Sequence, residues 1–332
     1  MAKFSVSWAD AAKKVKLPPA ARPARTVGVL TQYYATAGAP ISRAVAEHLA
    51  DAGHAVRVLS TDKRWRDLRD AQSSSRFPLS SRLAVKWVPS YTDRSKSGLK
   101  RVLNYLSFSV TSTVASGWLA DVDVNYVYAT QPTAAVAADF LKYLRGTPFV
   151  MHVQDVWPDS VTESGMTGSS GLSKLIERVL RWWVAYIYGR ADGLIAISPE
   201  MRDLLVSRGL RPDLVHSVYN WASDTGLKSA GDPPVVPIEG ATNLVYAGNL
   251  GAMQDLFTVL GAMTLMKDSE AVHLWLVGDG VEAAALKGRA EELGLRNVTF
   301  VGRVPEENVG AVLCAADFLL VTLKDIAIYR TN

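Results

Sequence analysis

Short apolar runs alternate with amphipathic stretches along most of this 332-residue chain. The first unit reads TVGVLTQYY, PISRAVAEHLADAG and HAVRVLST, which predicts a strand, a helix that ends at Gly53, and a second strand. Five more strand-like runs follow, at 83–88, 124–129, 147–153, 193–198 and 214–220. Because apolar strands separated by helices form parallel sheets covered on both faces, the sequence predicts an α/β fold.

A stretch rich in Gly, Pro and Ser, residues 222–240, interrupts this alternation. Its composition is typical of a linker between domains. Beyond it lie four more strand-like runs, at 243–249, 272–278, 297–302 and 317–323. Since a doubly wound domain usually has about five or six strands, we expect the second domain to be truncated. The predicted division of the chain is a basic tail (1–25), a first domain (26–221), the linker (222–240) and a partial second domain (241–332).

The net charge of +4 is concentrated at the N-terminus. Residues 1–25 carry six Lys or Arg against Asp10, a net charge of +5, so the rest of the chain sums to −1. Such a tail is either a solvated leader or, with Phe4, Val6 and Trp8, a contact for an anionic membrane surface. No basic face recurs in the body of the chain, so we expect no nucleic-acid binding.

Cys314 is the single cysteine, which excludes a disulfide framework and a cysteine-based metal site. The opening residues MAKFSVSWADAAKKVK lack the apolar core of a secretory signal peptide. Both features predict a reducing, cytoplasmic location.

Nineteen uncharged residues lie between Arg101 and Asp121, enough to raise the question of a membrane span. Six of them are Ser or Thr, so we predict a helix packed on the sheet instead. The basic residues of the preceding stretch 94–101 leave open a contact of this helix with a bilayer surface.

Ligands of open α/β domains bind beyond the carboxyl ends of the strands. The stretch HVQDVWPDS (152–160) follows such a strand, and the period of two places His152 and Gln154 on one face and Asp155 at the strand end. Trp157–Pro158 favours an extended, stiff loop. A functional site and simple capping of the next turns by Asp155 or Asp159 both remain open.

Glycine-bearing turns follow three other strands: Gly38 before a helix that begins with Pro40, then GNLGAMQD (248–255) and VGDG (277–280). Backbone N–H groups at such helix starts can bind phosphate. The pattern G-x-G-x-x-G is missing, which argues against a nicotinamide dinucleotide. Together these turns predict a nucleotide-binding cleft, and no metal-ligand cluster is visible.

Several ordered segments resemble family 4 retaining glycosyltransferases, which have two Rossmann-like domains in the GT-B arrangement. The resemblance spans about 26–323 and is carried by VGVLTQYYATAGAPISR, HVQDVWPDS, RADGLIAISPEMRDLL, YNWAS, YAGNLGAMQDL, LWLVGDG and VTFVGRVP. It is nearest to the branch that makes O-antigen and exopolysaccharide repeats, often fucosamine-type transferases.

The resemblance implies roles for individual residues. Asp155, Gln154 and His152 would be the catalytic candidates, with Gln154 standing where many relatives have a histidine. The donor diphosphate would be bound by Gly38, Gly248 and Asn249. Gly278 and Asp279 would lie on the nucleotide side of the donor, with Arg303 near the base. Asn249 and Gln254 stand where relatives usually have a basic pair, and Gln254 would also contact the donor.

The implied function is metal-independent, retaining transfer of a sugar from a UDP-sugar or GDP-sugar, with no further cofactor. The acceptor would be a lipid-linked or free saccharide at the cytoplasmic face of the inner membrane, approached by the basic tail and the 98–119 helix. Relatives continue past the 317–323 strand, so we expect this chain to bind donor weakly and turn over poorly. Two alternatives stay open: a nucleotide-sugar epimerase of GT-B type, and an inactive membrane-associated partner protein.

Overall fold

The computed structural model describes residues 23–34, 40–61, 82–91, 98–158, 171–221, 235 and 237–326. It contains two parallel sheets, each covered by helices, so the predicted α/β class is confirmed. Each of the eleven strands in these ranges overlaps one of the eleven runs predicted from the sequence, and β8 begins one residue before its run, at Thr242. The predicted tail (1–25) and linker (222–240) lie mostly outside the described ranges, so the domain boundaries stay predictions.

The first sheet has the strand order β3-β2-β1-β4-β5-β6-β7, with every neighbouring pair parallel. The order reverses between β1 and β4, which is where doubly wound sheets bind ligands. The strands are β1 (Thr26–Thr31), β2 (Ala55–Thr61), β3 (Leu83–Val88), β4 (Val124–Ala129), β5 (Phe149–Val153), β6 (Gly193–Ala196) and β7 (Val215–Ser217).

Within the described ranges, five helices cover this sheet: α1 (Pro40–Asp51), α2 (Gly98–Val114), α3 (Val136–Arg145), α4 (Gly171–Arg190) and α5 (Pro199–Ser207). Helix α1 packs Ala46 and Ala50 against one face of the sheet. Helices α2, α3 and α4 pack Phe108, Leu141 and Ile187 into the larger core cluster. Two short 3₁₀ helices, Ala115–Leu119 and Pro132–Ala135, follow α2 and β4.

The uncharged segment after Arg101 forms α2 and the 3₁₀ turn behind it, as predicted. Phe108 and Leu119 are fully buried against the sheet. Across the described ranges, no helix combines the length and the apolarity needed to cross a membrane.

The second sheet has the order β10-β9-β8-β11, again parallel. Its strands are β8 (Thr242–Ala247), β9 (Val272–Val277), β10 (Val298–Gly302) and β11 (Phe318–Leu319), with helices α6 (Leu256–Thr264), α7 (Ala283–Glu292) and α8 (Glu306–Cys314). Strand β11 is shorter than the predicted 317–323 because the chain turns away: the Thr322 hydroxyl donates to the Gln254 carbonyl (2.6 Å) and the Lys324 amide to the Met253 carbonyl (2.9 Å).

Candidate active site

Polar side chains crowd the carboxyl edge of the first sheet. Gln154 and Asp155 follow β5, and Asn220 follows β7. Gln32 follows β1 and Gln131 follows β4, so these two amides lie where the strand order reverses. The parallel topology brings together residues that are far apart in sequence, and this edge is the candidate site.

The amide of Gln154 has a fixed orientation. Its Oε1 accepts hydrogen bonds from the Tyr128 hydroxyl (3.1 Å) and from Nδ2 of Asn220 (2.8 Å). The side chain is 9% exposed, and its Nε2 is buried with no hydrogen-bond partner in the described structure. Because a buried amide donor without a partner is costly, this NH₂ group is a candidate donor to a bound ligand.

His152 lies deeper in the same sheet and is 2% exposed. Its Nδ1 is 2.6 Å from the Tyr126 hydroxyl, and its ring packs edge-on against Tyr128, with ring centroids 5.6 Å apart. Burial lowers the pKa of His152 to about 4, so the imidazole is neutral at physiological pH. His152 thus contacts both tyrosines, and its Nε2 is buried without a hydrogen-bond partner among the described residues.

Asp155 is partly buried at the strand end, and burial raises the pKa of its carboxyl to about 6. The pKa of Tyr128 is raised to about 12, mainly by burial and also by the charge of Asp155. No hydrogen bond or ion pair to the Asp155 side chain occurs among the described residues. A carboxylate held in this way can accept a hydrogen bond from a substrate hydroxyl.

The loop after Asp155 is anchored at Trp157. Its indole Nε1 donates to the Thr130 carbonyl (3.1 Å), and its carbonyl accepts from Arg208 (3.3 Å). The Trp157–Pro158 peptide bond is cis. Asp159, the alternative capping residue, lies outside the described ranges.

A chain of buried side chains connects the other strand ends. Gln32 donates to Asn104 on α2, Gln131 donates to Gln32, and Thr130 donates to Gln131. The Thr61 hydroxyl donates to the Gln32 carbonyl (2.8 Å). Gln32, Gln131, Tyr128 and Asn220 were not predicted as site residues, although one signal was available for Gln32, which directly follows an apolar strand.

In the second sheet, the turns after β8 and β9 dock directly on each other. Gly278 has φ +133°, and a Cβ there would lie 1.8 Å from the Gly248 carbonyl oxygen. A Cβ on Gly280 would lie 2.3 Å from the Leu250 carbonyl oxygen. Glycine is therefore required at both positions by close backbone approach.

Most amides of these turns are already used within the protein. Gly248 N–H donates to Val277 (2.9 Å), Leu250 N–H to Asp279 (3.0 Å) and Gly278 N–H to Gly302 (2.8 Å). By contrast, the hydrogen bonds of the described residues leave the N–H groups of Asn249, Gly251 and Ala252 without partners. The groups that could bind an anion here are therefore the amides of Asn249, Gly251 and Ala252, one turn ahead of α6.

The remaining predicted donor-site residues lie around these turns. Nδ2 of Asn249 donates to Gln254 (3.4 Å), and Oδ1 of Asp279 accepts from the next amide (2.8 Å). Arg303 is exposed directly after β10. Gly38 lies outside the described residues. Within the described ranges, no group of three or more His, Cys, Asp or Glu could hold a metal ion.

Two family models match the chain in succession. Residues 36–221 match the glycosyl transferase 4-like domain, and residues 233–325 match the glycosyl transferases group 1 domain. The first match alone covers more than half of the chain.

Two curated proteins are similar in sequence. The putative colanic acid biosynthesis glycosyl transferase WcaI of Escherichia coli K12 is 26% identical over 84% of this chain and 71% of its own length. The probable glycosyltransferase WbjE of Pseudomonas aeruginosa is 29% identical over 69% of this chain. The matched region spans 56% of WbjE, so this chain corresponds to only part of that relative.

Solved structures share the fold at low identity. HepE (Alr3699) of Anabaena, in complex with UDP and glucose, has a TM-score of 0.60 at 15% identity, over 91% of this chain and 74% of HepE. WaaG, a glycosyltransferase involved in lipopolysaccharide biosynthesis, has a TM-score of 0.60 at 15% identity, over 90% of this chain and 75% of WaaG. These likenesses confirm the predicted GT-B fold of two Rossmann-like domains.

Proposed function

Because the chain belongs to the glycosyltransferases with a glycosyl transferase 4-like domain, we propose that it transfers a hexosyl-type sugar from a UDP-sugar or GDP-sugar, with retention. The proposed acceptor is lipid-linked or a free saccharide in surface polysaccharide synthesis, in keeping with the colanic acid biosynthesis named for WcaI. The proposed setting is the cytoplasmic face of the membrane.

One observation carries this proposal. The oriented amide of Gln154 and the carboxyl of Asp155 lie at the carboxyl edge of the first sheet, and the docked glycine turns lie at the carboxyl edge of the second. Carboxyl edges are the ligand-binding edges of parallel sheets. Each sheet therefore offers half of a two-substrate site.

In the second sheet, the amides of Asn249, Gly251 and Ala252 bind the donor diphosphate, together with Gly38 from the first domain. Preorganised donors of this kind stabilise the charge that develops on a leaving phosphate. Asp279 and Arg303 lie on the nucleotide side of the donor. Asn249 and Gln254 provide neutral amides in place of the basic pair expected from the family resemblance. Gly278 lets the two turns meet, because its missing side chain leaves room for the Gly248 carbonyl.

In the first sheet, Asp155 accepts a hydrogen bond from the acceptor hydroxyl, and the NH₂ group of Gln154 donates to an oxygen of the transferred sugar. His152 supports Gln154 through Tyr128, whose ring packs on the imidazole and whose hydroxyl donates to Oε1 of Gln154. The reaction is proposed to need no metal, so a chelator should leave the rate unchanged.

The function is tested with the whole chain, a panel of UDP-sugars and GDP-sugars, and lipid or saccharide acceptors. We expect acceptor-dependent release of nucleoside diphosphate, and heat on titration with UDP or GDP in a calorimeter. Release of an epimerised free donor would favour the epimerase. Absence of any nucleotide binding would favour the inactive partner protein and would overturn the proposal.

The orientation of Gln154 gives a further prediction. Asn220→Ala should lower kcat about 10-fold, the effect of losing roughly one hydrogen bond, with nucleotide affinity unchanged. Asn220→Asp should be at least as harmful, because aspartate cannot donate and would turn the Gln154 NH₂ group toward itself. If Asn220→Asp retains full activity, Asn220 has only a packing role. Steady-state kinetics with calorimetry of nucleotide binding measures both effects.

A further inference from the structure

Helix α2 is apolar on two opposite sides. Its inner side buries Phe108 in the core. Its outer side carries an apolar stripe at helical spacing. The stripe consists of Leu103 (46% exposed), Leu106 (49%), Val110 (62%) and Val114 (82%). The described residues leave this stripe uncovered, which makes it a candidate binding surface.

Helix α4 carries a second such stripe, formed by Leu175, Val179, Trp182 and Tyr186. Trp182 is 69% exposed and stacks on Tyr186, with ring centroids 6.2 Å apart. Helix α3 contacts both α2 and α4 and adds the exposed residues Phe140, Tyr143 and Leu144. We call these eleven residues the three-helix face. Large exposed apolar surfaces on soluble proteins commonly mark binding sites for proteins or membranes.

The charges around this face are positive. The α2 span contains two basic and no acidic residues, and the α3 and α4 spans have net charges of +1 and +3. The two acidic side chains of these helices are paired, Asp139 with Arg190 (2.7 Å) and Glu177 with Arg181. Arg145 and Arg178 are exposed and form no ion pair among the described residues. A second copy would bring like charges together, whereas an anionic surface would neutralise them.

We propose that the three-helix face binds the surface of a bilayer that contains anionic lipids. Apolar side chains enter the headgroup boundary, and the basic residues meet lipid phosphates. Trp182 and Tyr186 suit this boundary because their rings are apolar while their N–H and O–H groups stay hydrated. From the sequence, we expected such a membrane contact for the N-terminal tail and the 98–119 helix. The present proposal extends this contact to α3 and α4.

The same face lies directly behind the candidate site. Between Leu103 and Leu106 of the stripe, Asn104 accepts a hydrogen bond from Gln32 and Tyr105 packs on Trp157 (ring centroids 5.8 Å apart). One helix, about 10–12 Å thick, therefore separates the bilayer from the polar strand ends. This step rests on the proposed function, since it explains how a lipid-linked acceptor would reach the site.

Co-sedimentation of the full chain with vesicles tests the proposal without any substrate. We expect binding to phosphatidylcholine vesicles containing phosphatidylglycerol, and at least about 10-fold weaker binding to phosphatidylcholine alone, as charge attraction predicts. Leu106→Ser/Val110→Ser/Val114→Ser and Trp182→Ser/Tyr186→Ser should each reduce binding to anionic vesicles about 10-fold or more. These side chains are already exposed, so circular dichroism should show unchanged folding.

The matched control is Leu265→Ser, an 89% exposed leucine after α6 that should have no effect. The proposal is overturned if the face variants bind like the parent chain, if deleting residues 1–25 alone removes binding, or if light scattering shows a dimer that the face variants lose. Transfer to a soluble acceptor is measured separately. Vesicle binding without transfer would overturn only the proposed function, and transfer without vesicle binding only this inference.

Discussion

Gly278→Ala is expected to disrupt the second sheet and to abolish nucleotide binding. The new Cβ would lie 1.8 Å from the Gly248 carbonyl oxygen, and the backbone has φ +133°, a conformation that favours glycine. The clash is with backbone, so no side-chain rotation can relieve it. Combined steric and backbone strain of this kind costs more than about 4 kcal/mol. Urea unfolding and calorimetry with UDP or GDP measure the two losses.

Gly288→Ala is the matched control in the same part of the chain. Gly288 lies within α7, and its Cβ would meet no atom within 4 Å. Alanine should raise the free energy of unfolding there by about 0.5–1 kcal/mol. A Gly278→Ala protein as stable as the parent would show that the β8 and β9 turns do not dock closely, and the proposed diphosphate site would lose its framework.

The fold was largely predictable because each strand can be recognised from its own local sequence. Buried parallel strands are continuous apolar runs, and right-handed crossovers restrict the possible strand orders. The errors lie at strand ends. The predicted 214–220 strand is only Val215–Ser217, because Asn220 leaves the sheet to bond Gln154, a contact across 66 residues. Local patterns carry no information about such contacts.

For the candidate site, too, the local sequence identified residues at the strand ends but not the contacts between them. Gln154 and Asp155 were identified from their place after β5, but their partners depend on strand neighbours. Tyr128 pairs with His152 only because β4 lies beside β5. Likewise, the glycine turns suggested free amides, whereas Gly248 and Gly278 use theirs to join adjacent strands. The amides left for a ligand, those of Asn249, Gly251 and Ala252, could be recognised only after that sheet was built.

Asp155→Asn is expected to lower kcat about 100-fold at pH 8, since hydrogen bonds to charged groups contribute about 1.5–3 kcal/mol. The same change should stabilise the fold. Burial raises the pKa of Asp155 from 3.8 to about 6, so between about pH 4 and 6 the native state binds more protons than the unfolded state. The free energy of unfolding therefore falls as pH rises through that window, by roughly 2–3 kcal/mol, and asparagine escapes this cost.

Two pH profiles distinguish a catalytic from a structural role for Asp155. The parent chain should gain kcat/KM as pH rises through about 6, and Asp155→Asn should lack this limb. His152 cannot produce it, because its pKa of about 4 leaves the ring neutral throughout the range. Asp213→Asn, at an exposed carboxylate paired with Arg211, should leave activity and the limb unchanged. A variant that is inactive yet more stable at pH 8 indicates a functional carboxylate, whereas one that is inactive and less stable would mean that Asp155 only holds the strand end together.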